Sequence, residues 1–344
     1  MTLLSQFEKP DKVSWEKLIS KALKINNLNE FESKEVAGVK INPFPYPTEI
    51  DSHKSPLQIQ NAAWIMGMSF DFPQNQLNEV LLNFLRNGGE SLDLQLAEDT
   101  NWKQIYEGVH AQMIYQDLSF ASNPVKGIEQ FHDYLEDKKY KPNSLRGAVN
   151  FKPMELIQNQ KWASNFGQFH FLTATSIAKN NIQCLSSLLT QLNGFLNLVE
   201  AGHLKINQIK AKLRMEYHLP VNVAKVRSMR MLWANLLSAR NIPFSPLFVH
   251  TSTVLDPQLD DDSMLIANTN AVVNAALGTS DLIDVLHCSK DWPRARIHLN
   301  IQHILQLESR IHTVKDPLAG SYAIEELSSQ MAEKSWEHFQ KSGI

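Results

Sequence analysis

The run Ser91-Leu92-Asp93-Leu94-Gln95-Leu96-Ala97 alternates polar and apolar residues at every step. Side chains on a strand point to opposite faces with a period of two, so the run predicts a strand with an apolar face, Leu92, Leu94 and Leu96, and a polar face, Asp93 and Gln95. Just before it, Leu77, Val80, Leu81, Phe84 and Leu85 keep the helical i, i+3, i+4, i+7, i+8 spacing, and Gly88-Gly89 stops that helix. Further strands are predicted over 112–120, 145–152, 168–175, 213–219 and 247–253, with helices over 182–198, 221–239 and 263–277 among them. The last two strands are placed near 282–286 and 312–315. Strand followed by helix, repeated along the chain, predicts parallel strands, and their number suits an α/β fold of the (β/α)8 TIM-barrel type better than an open sheet.

Typical barrels fill their interior with branched apolar side chains. Here one face of strand after strand is polar instead: Asp93 and Gln95; Arg146, Asn150 and Lys152; Gln168 and His170; Arg214, Glu216 and His218; His250 and Ser252. If the apolar faces meet the helices, the lumen is polar, and it holds either a wet channel for a polar ligand or a plug of paired charges. The residues expected to line it are Asp93, Gln95, Arg146, Lys152, His170, Arg214, Glu216 and His218.

The 344 residues suffice for a sizeable core, and 33 basic against 36 acidic side chains leave a net charge of −3 with both signs scattered. That balance predicts neither a nucleic-acid nor a membrane surface. Two cysteines, Cys184 and Cys288, make no disulfide framework, and the N-terminus has no charged head and apolar run of a signal peptide. The chain reads as a cytoplasmic protein. Residues 1–74 are expected to form a helix (14–23) and an extended arm, since three prolines in Pro43-Phe44-Pro45-Tyr46-Pro47 forbid a helix, and the arm must lie on this chain or a partner. The barrel is assigned 75–344.

Catalytic spacings are sparse. Gly88-Gly89 lacks the further glycine or lysine of a phosphate loop, and His298 and His303, five apart, do not share a helix face as metal ligands would. No metal site is predicted. Asp260-Asp261-Asp262 reads as a helix N-cap, and Arg227 with Arg230, beside Met231 and Trp233, as a solvated helix flank.

Three longer motifs carry more information: Lys225-Val226-Arg227-Ser228-Met229-Arg230-Met231-Leu232-Trp233, the string from Arg296 to Ser309, and Asp316-Pro317-Leu318-Ala319-Gly320-Ser321-Tyr322 followed by Glu325-Glu326-Leu327. Together they resemble the barrel domain of methylmalonyl-CoA mutases, over 220–344 and back to about 165, with Tyr46-Pro47-Thr48 and the Gly88–Leu96 entry as earlier points of likeness. The resemblance implies a barrel that takes the pantetheine arm of a CoA ester along its axis, and adenosylcobalamin as the source of a radical. It further implies a separate C-terminal domain that gives cobalt a histidine within Asp-x-His-x-x-Gly.

The chain departs from that family where its chemistry lies. Its one Asp-x-His, Asp51-Ser52-His53, is in the wrong region, and no C-terminal cobalamin-binding domain is expected in this chain. Aligned on the family motifs, the substrate-facing arginine becomes Gln60, the radical-steering tyrosine Ala62, the carbonyl-binding histidine Thr173, and a further arginine Phe248. His250 is kept, and the following glutamine becomes Ser252. Without these groups nothing holds the thioester and carboxylate in a reactive geometry. The resemblance therefore implies a non-catalytic small subunit that binds no cofactor itself and pairs with a catalytic large subunit carrying adenosylcobalamin; whether the isolated chain forms a homodimer through the surface meant for its partner stays open. Two alternatives stay open: a mutase barrel that binds substrate and borrows a cobalamin-binding subunit in trans, and a stand-alone CoA-binding or chaperone-like protein.

Overall fold

In the computed structural model residues 11–24, 39, 57, 59 and 61–342 are described, apart from 71, 73, 98, 99, 217, 257 and 288–290. The proline-rich arm of 43–47, Gln60, Asp51-Ser52-His53 and Cys288 lie outside the described residues.

Nine parallel strands form one sheet: β1 (Ile65–Ser69), β2 (Ser91–Leu96), β3 (Tyr115–Phe120), β4 (Arg146–Val149), β5 (Phe169–His170), β6 (Leu172–Thr175), β7 (Ile209–Arg214), β8 (Phe248–Ser252) and β9 (Leu282–Val285). Their spatial order is β5-β4-β3-β2-β1-β9-β8-β7-β6. β5 and β6 are two halves of one stave, parted at Phe171. Phe151 N–H donates to the Phe171 carbonyl at 3.0 Å, and Phe171 N–H donates to Gln208 at 2.8 Å, so Phe171 joins the two ends of the sheet. The result is an eight-stave barrel with helices outside, as the alternation of Ser91 to Ala97 predicts.

Two strand assignments need correction. The stave expected over 312–315 is a short 3-10 turn, Ile311–Thr313; His312-Thr313-Val314-Lys315 holds one apolar residue and has no apolar face to bury. Its place is taken by β1, inside the segment read as arm, which pairs with β2 on one side and β9 on the other. Ile65-Met66-Gly67-Met68-Ser69 shows no polar alternation, because the position that faces inward at its centre is Gly67. The strand expected over 213–219 runs instead from Ile209 to Arg214. Pro220 sits in the first turn of the Leu219–Ala239 helix, where its fixed φ starts a helix and ends any extension of the strand.

The Leu219–Ala239 helix is buried on nearly every side, packed against helices Asn181–Glu200, Asp261–Leu277 and Tyr322–Lys341. Arg227 and Arg230 are therefore no solvated flank. Arg227 is 2% exposed and pairs with Asp316 and with Glu325 (2.5 Å), tying the Asp316–Tyr322 motif to the barrel; Arg230 pairs with Asp281 (2.9 Å) and donates to Thr279. Burying a guanidinium is tolerable only with such partners. Asp260 caps the Asp261–Leu277 helix, its carboxylate accepting from Ser263 N–H at 2.8 Å, as expected. No helix among the described residues is long and apolar enough to cross a membrane.

Candidate functional site: a charged barrel lumen

Strand register decides which side chains point inward. Ser69, Asp93, Asp117 and Ala148 are level on β1 to β4, while Gly67 is level with Ser91 and Asp284; Lys212 is level with His250, and Thr173 with Lys210. The lumen is thus lined by Asp93, Asp117, Lys210, Lys212, His250 and Asp284, a polar interior as the alternation predicts, and of the two readings the structure shows the plug of paired charges.

The pairs interlock. Lys210 Nζ is 2.5 Å from Asp117 Oδ2, and Lys212 Nζ is 3.1 Å from Asp93 and 3.7 Å from Asp284. His250 lies between two acids, Nε2 2.6 Å from Asp284 and Nδ1 3.3 Å from Asp117, with Lys210 Nζ 3.4 Å from Nδ1. His250 and Asp284 are completely buried and Lys210 is 1% exposed. Gly67 makes room for the network: a Cβ there would fall 1.9 Å from Asp284 Oδ1.

The electrostatics follow from burial and proximity. Burial pushes the Asp93 carboxyl up to about 6, with Asp284 and Asp117 adding to the shift and Lys212 opposing it. Burial would also raise Asp117 and Asp284, but their neighbours outweigh it, Lys210 first for Asp117 and His250 first for Asp284, and hold both below the usual carboxylate value. Burial disfavours the Lys212 ammonium, yet three carboxylates, Asp93 foremost, hold its pKa above the ordinary one. All three acids lie within reach of the two ammonium groups, while Asp284 Oδ1, on the side of Gly67, has no hydrogen-bond partner among the described residues.

At the N-terminal mouth the plug is floored by aromatic rings. Tyr115 and Phe248 stack at 5.5 Å with planes 3° apart, and the His170 ring is 4.5 Å from Phe248. His170 Nδ1 lies 2.9 Å from the Tyr115 hydroxyl. Burial, reinforced by the Lys210 charge, pushes His170 down to about 3, so its imidazole is neutral. These rings, Arg146, Gln168 and Asn207 line a cleft of about 410 Å³.

Of the residues expected to line the lumen, Asp93 and His170 do so. Arg146 is exposed at the N-terminal mouth, and Gln95, Lys152, Arg214, Glu216 and His218 are exposed at or beyond the C-terminal ends of the strands. Glu216 and His218 miss because their strand ends at Arg214, and Lys152 because β4 ends at Val149. Among the positions aligned with the family's substrate site, His250 is in the plug, Ser252 is buried above it, and Phe248 is in the floor. Thr173 faces inward on β6, and Ala62 is half-buried just before β1. The structure does not gather these positions into one site.

Lys210 and Lys212 were missed because the strand was placed four residues late. Ile209-Lys210-Ala211-Lys212-Leu213-Arg214 carries the same period-two signal as Ser91–Ala97. Asp117 stood in a predicted strand at the alternation Tyr115, Asp117, Ser119, and Asp284 stood at the centre of the 282–286 strand. Outside the barrel, His132, Asp133 and Glu136 bring ligand atoms within 4.8 Å of one another on the Pro124–Asp137 helix.

Comparison with known proteins agrees with the motif reading. Residues 185–342 match the methylmalonyl-CoA mutase family model. Over 98% of its length the chain is 22% identical to the methylmalonyl-CoA mutase small subunit of Porphyromonas gingivalis, of which it spans 63%, and over 77% it is 23% identical to that of Streptomyces virginiae, of which it spans 49%. Over 46% of its length it is 30% identical to the methylmalonyl-CoA mutase of Cereibacter sphaeroides, spanning 24% of that protein. The chain spans less than two thirds of the length of each of these relatives. The chain is thus similar to the methylmalonyl-CoA mutase family over 185–342, and its likeness over nearly the full length is to a small subunit.

Proposed function

We propose that this chain is the small, catalytically silent subunit of a heterodimeric, adenosylcobalamin-dependent methylmalonyl-CoA mutase, stabilising a cytoplasmic large subunit that converts (R)-methylmalonyl-CoA to succinyl-CoA. The observation that carries this reading is the filled lumen. Where the family resemblance places a pantetheine arm, Lys210, Lys212, Asp93, Asp117, Asp284 and His250 neutralise one another with Lys210, His250 and Asp284 at or below 1% exposure. Opening a channel there would strip partners from buried charges, at a cost of about 3–5 kcal/mol for each broken pair. Aligned losses at Gln60, Ala62, Thr173 and Phe248 point the same way.

The residues present do not fit adenosylcobalamin. His170 and His250, the imidazoles nearest the lumen, are buried and hydrogen-bonded to Tyr115 and Asp284, and the Asp-x-His of residues 51–53 lacks the glycine of the cobalt-binding motif. The cofactor is assigned to the large subunit. The in-trans mutase reading needs substrate-anchoring cations in the lumen, and Lys210 and Lys212 are already held by acids.

Co-expression with the cognate large subunit tests the proposal. A one-to-one complex is expected, with no mutase turnover by this chain mixed with cofactor alone. Turnover by the isolated chain, or failure of the two chains to associate, would refute it.

A further inference from the structure

The barrel wall is thinnest between β4 and the β5–β6 stave. β4 pairs with β5 only at Gly147↔Phe169 and Ala148↔His170, whereas β2 and β3 pair along their whole length from Ser91↔Tyr115 to Leu96↔Phe120. Past Phe171 the ladder continues only through the Phe151 N–H to Phe171 carbonyl bond. Above this break, at the C-terminal ends of the strands, a slot of about 540 Å³ opens. Its size is that of a small-molecule site.

Five apolar side chains line the slot, Phe120, Phe151, Phe195, Pro124 and Pro153, beside the polar Ser122 and Gln191. Gly127 allows this shape, since a Cβ there would sit 2.2 Å from the Phe120 ring that lies against its helix. At the rim are two charges of opposite sign, Lys152 and Glu155. Glu155 accepts the Lys152 backbone N–H through Oε2 at 2.9 Å, capping the Pro153–Gln158 helix, and neither the Lys152 ammonium nor Glu155 Oε1 has an ion-pair partner among the described residues. Thr173, facing inward from β6, and exposed Asn150 supply neutral hydrogen-bonding groups.

We propose that this slot binds a free apolar α-amino acid: its carboxylate on Lys152, its ammonium on Glu155, and its side chain among Phe120, Phe151 and Phe195. A ligand with one charge would satisfy one rim group and leave the other facing a like or missing partner. A zwitterion with an apolar body matches both the walls and the rim. The slot shares Thr173 with the barrel interior at the C-terminal ends of the strands, and the assignment rests on its lining residues and not on the subunit role.

Calorimetric titration of the folded chain with phenylalanine tests it, with 3-phenylpropanoate and 2-phenylethylamine as probes that each lack one charge. Phenylalanine is expected to bind saturably, and each analogue to bind about tenfold more weakly, the size of one charge-assisted contact. K152Q and E155Q should each weaken phenylalanine by about the same factor; glutamine at 155 keeps the oxygen that caps the helix. Ala121 is exposed on the slot, so A121W fills it without disturbing the core and should abolish binding. Unchanged thermal melting shows that each variant folds. Either analogue binding as tightly as phenylalanine, A121W binding normally, or no saturation with phenylalanine would overturn the proposal.

Discussion

Replacing Lys210 with methionine tests how much the lumen charges depend on one another. Lys210 is 1% exposed and its ammonium lies 2.5 Å from Asp117 and 3.4 Å from His250. Methionine keeps most of the side-chain volume, so the loss is electrostatic: Asp117, 7% exposed, keeps only the His250 ring and the more distant Lys212 ammonium as neighbours that favour its charged form. Breaking one member of a buried pair costs about 3–5 kcal/mol, because a charge is left without its partner in a poorly solvated place. For a chain of this size that corresponds to a fall in melting temperature of about 4–7 °C. Adding D117L removes the orphaned carboxylate, and since apolar replacement of a whole buried pair is neutral to stabilising by about 1–4 kcal/mol, the double variant should recover most of the loss. Far-ultraviolet circular dichroism during heating, with urea titration at neutral pH, measures both. A K210M variant within about 1 kcal/mol of the parent would mean that the lumen admits water, and the reasoning would fail.

Other outcomes follow from the same contacts. The folded His170 pKa, about 3, lies below the ordinary 6.5, so its contribution to stability is present above pH 6.5 and is lost as pH falls toward 3, at about 1.4 kcal/mol per pH unit. Asp93 has the opposite sign, since its folded pKa of about 6 lies above 3.8: its contribution is present below 3.8 and is lost as pH rises through 6. Urea titrations across pH 4 to 6 should therefore show H170Q gaining on the parent as pH falls and D93N gaining as pH rises; parallel curves would remove His170 and Asp93 from the titrating set. G67A should cost about 1–3 kcal/mol, because its Cβ collides with Asp284 Oδ1 and must push it off His250; a normal melting temperature would show that Asp284 is free to move. R227A should cost about 2–3 kcal/mol and speed proteolysis between Asp316 and Tyr322, since that guanidinium ties Asp316 and Glu325 to the Leu219–Ala239 helix; unchanged cleavage would assign the anchoring to Ser228, which donates to the Ser328 carbonyl at 2.7 Å.

The barrel was legible because its staves carry the period of two and its helices the longer period. The alternation of Ser91–Ala97 predicts β2, and the spacing from Leu77 to Leu85 predicts the helix before it, Gln74–Arg86. β1 was not legible, because Gly67 faces inward where a polar side chain would have marked the alternation, and the space it leaves is filled from β9 by Asp284. The polar lumen was legible as a property, through Asp93, His170 and His250. Its pairing was not, because which acid meets which base depends on the stagger between staves distant in sequence: Asp93 and Lys212 are 119 residues apart, and Asp117 and Lys210 are 93. Arg227 and Arg230 misled for a related reason. A helix covered by neighbours on several sides has no amphipathic stripe, and its buried cations look like a solvated flank until Asp316, Glu325 and Asp281 are brought to them.

The central claim is that this barrel's axis is closed by its own charges. Titration of the isolated chain with CoA and with methylmalonyl-CoA at neutral pH, followed by calorimetry, tests it most directly. The account predicts no saturable binding of either compound. Saturable binding of both, weakened when Lys210 or Lys212 is replaced, would mean that the axis opens to a thioester, and the closed-lumen account would be wrong.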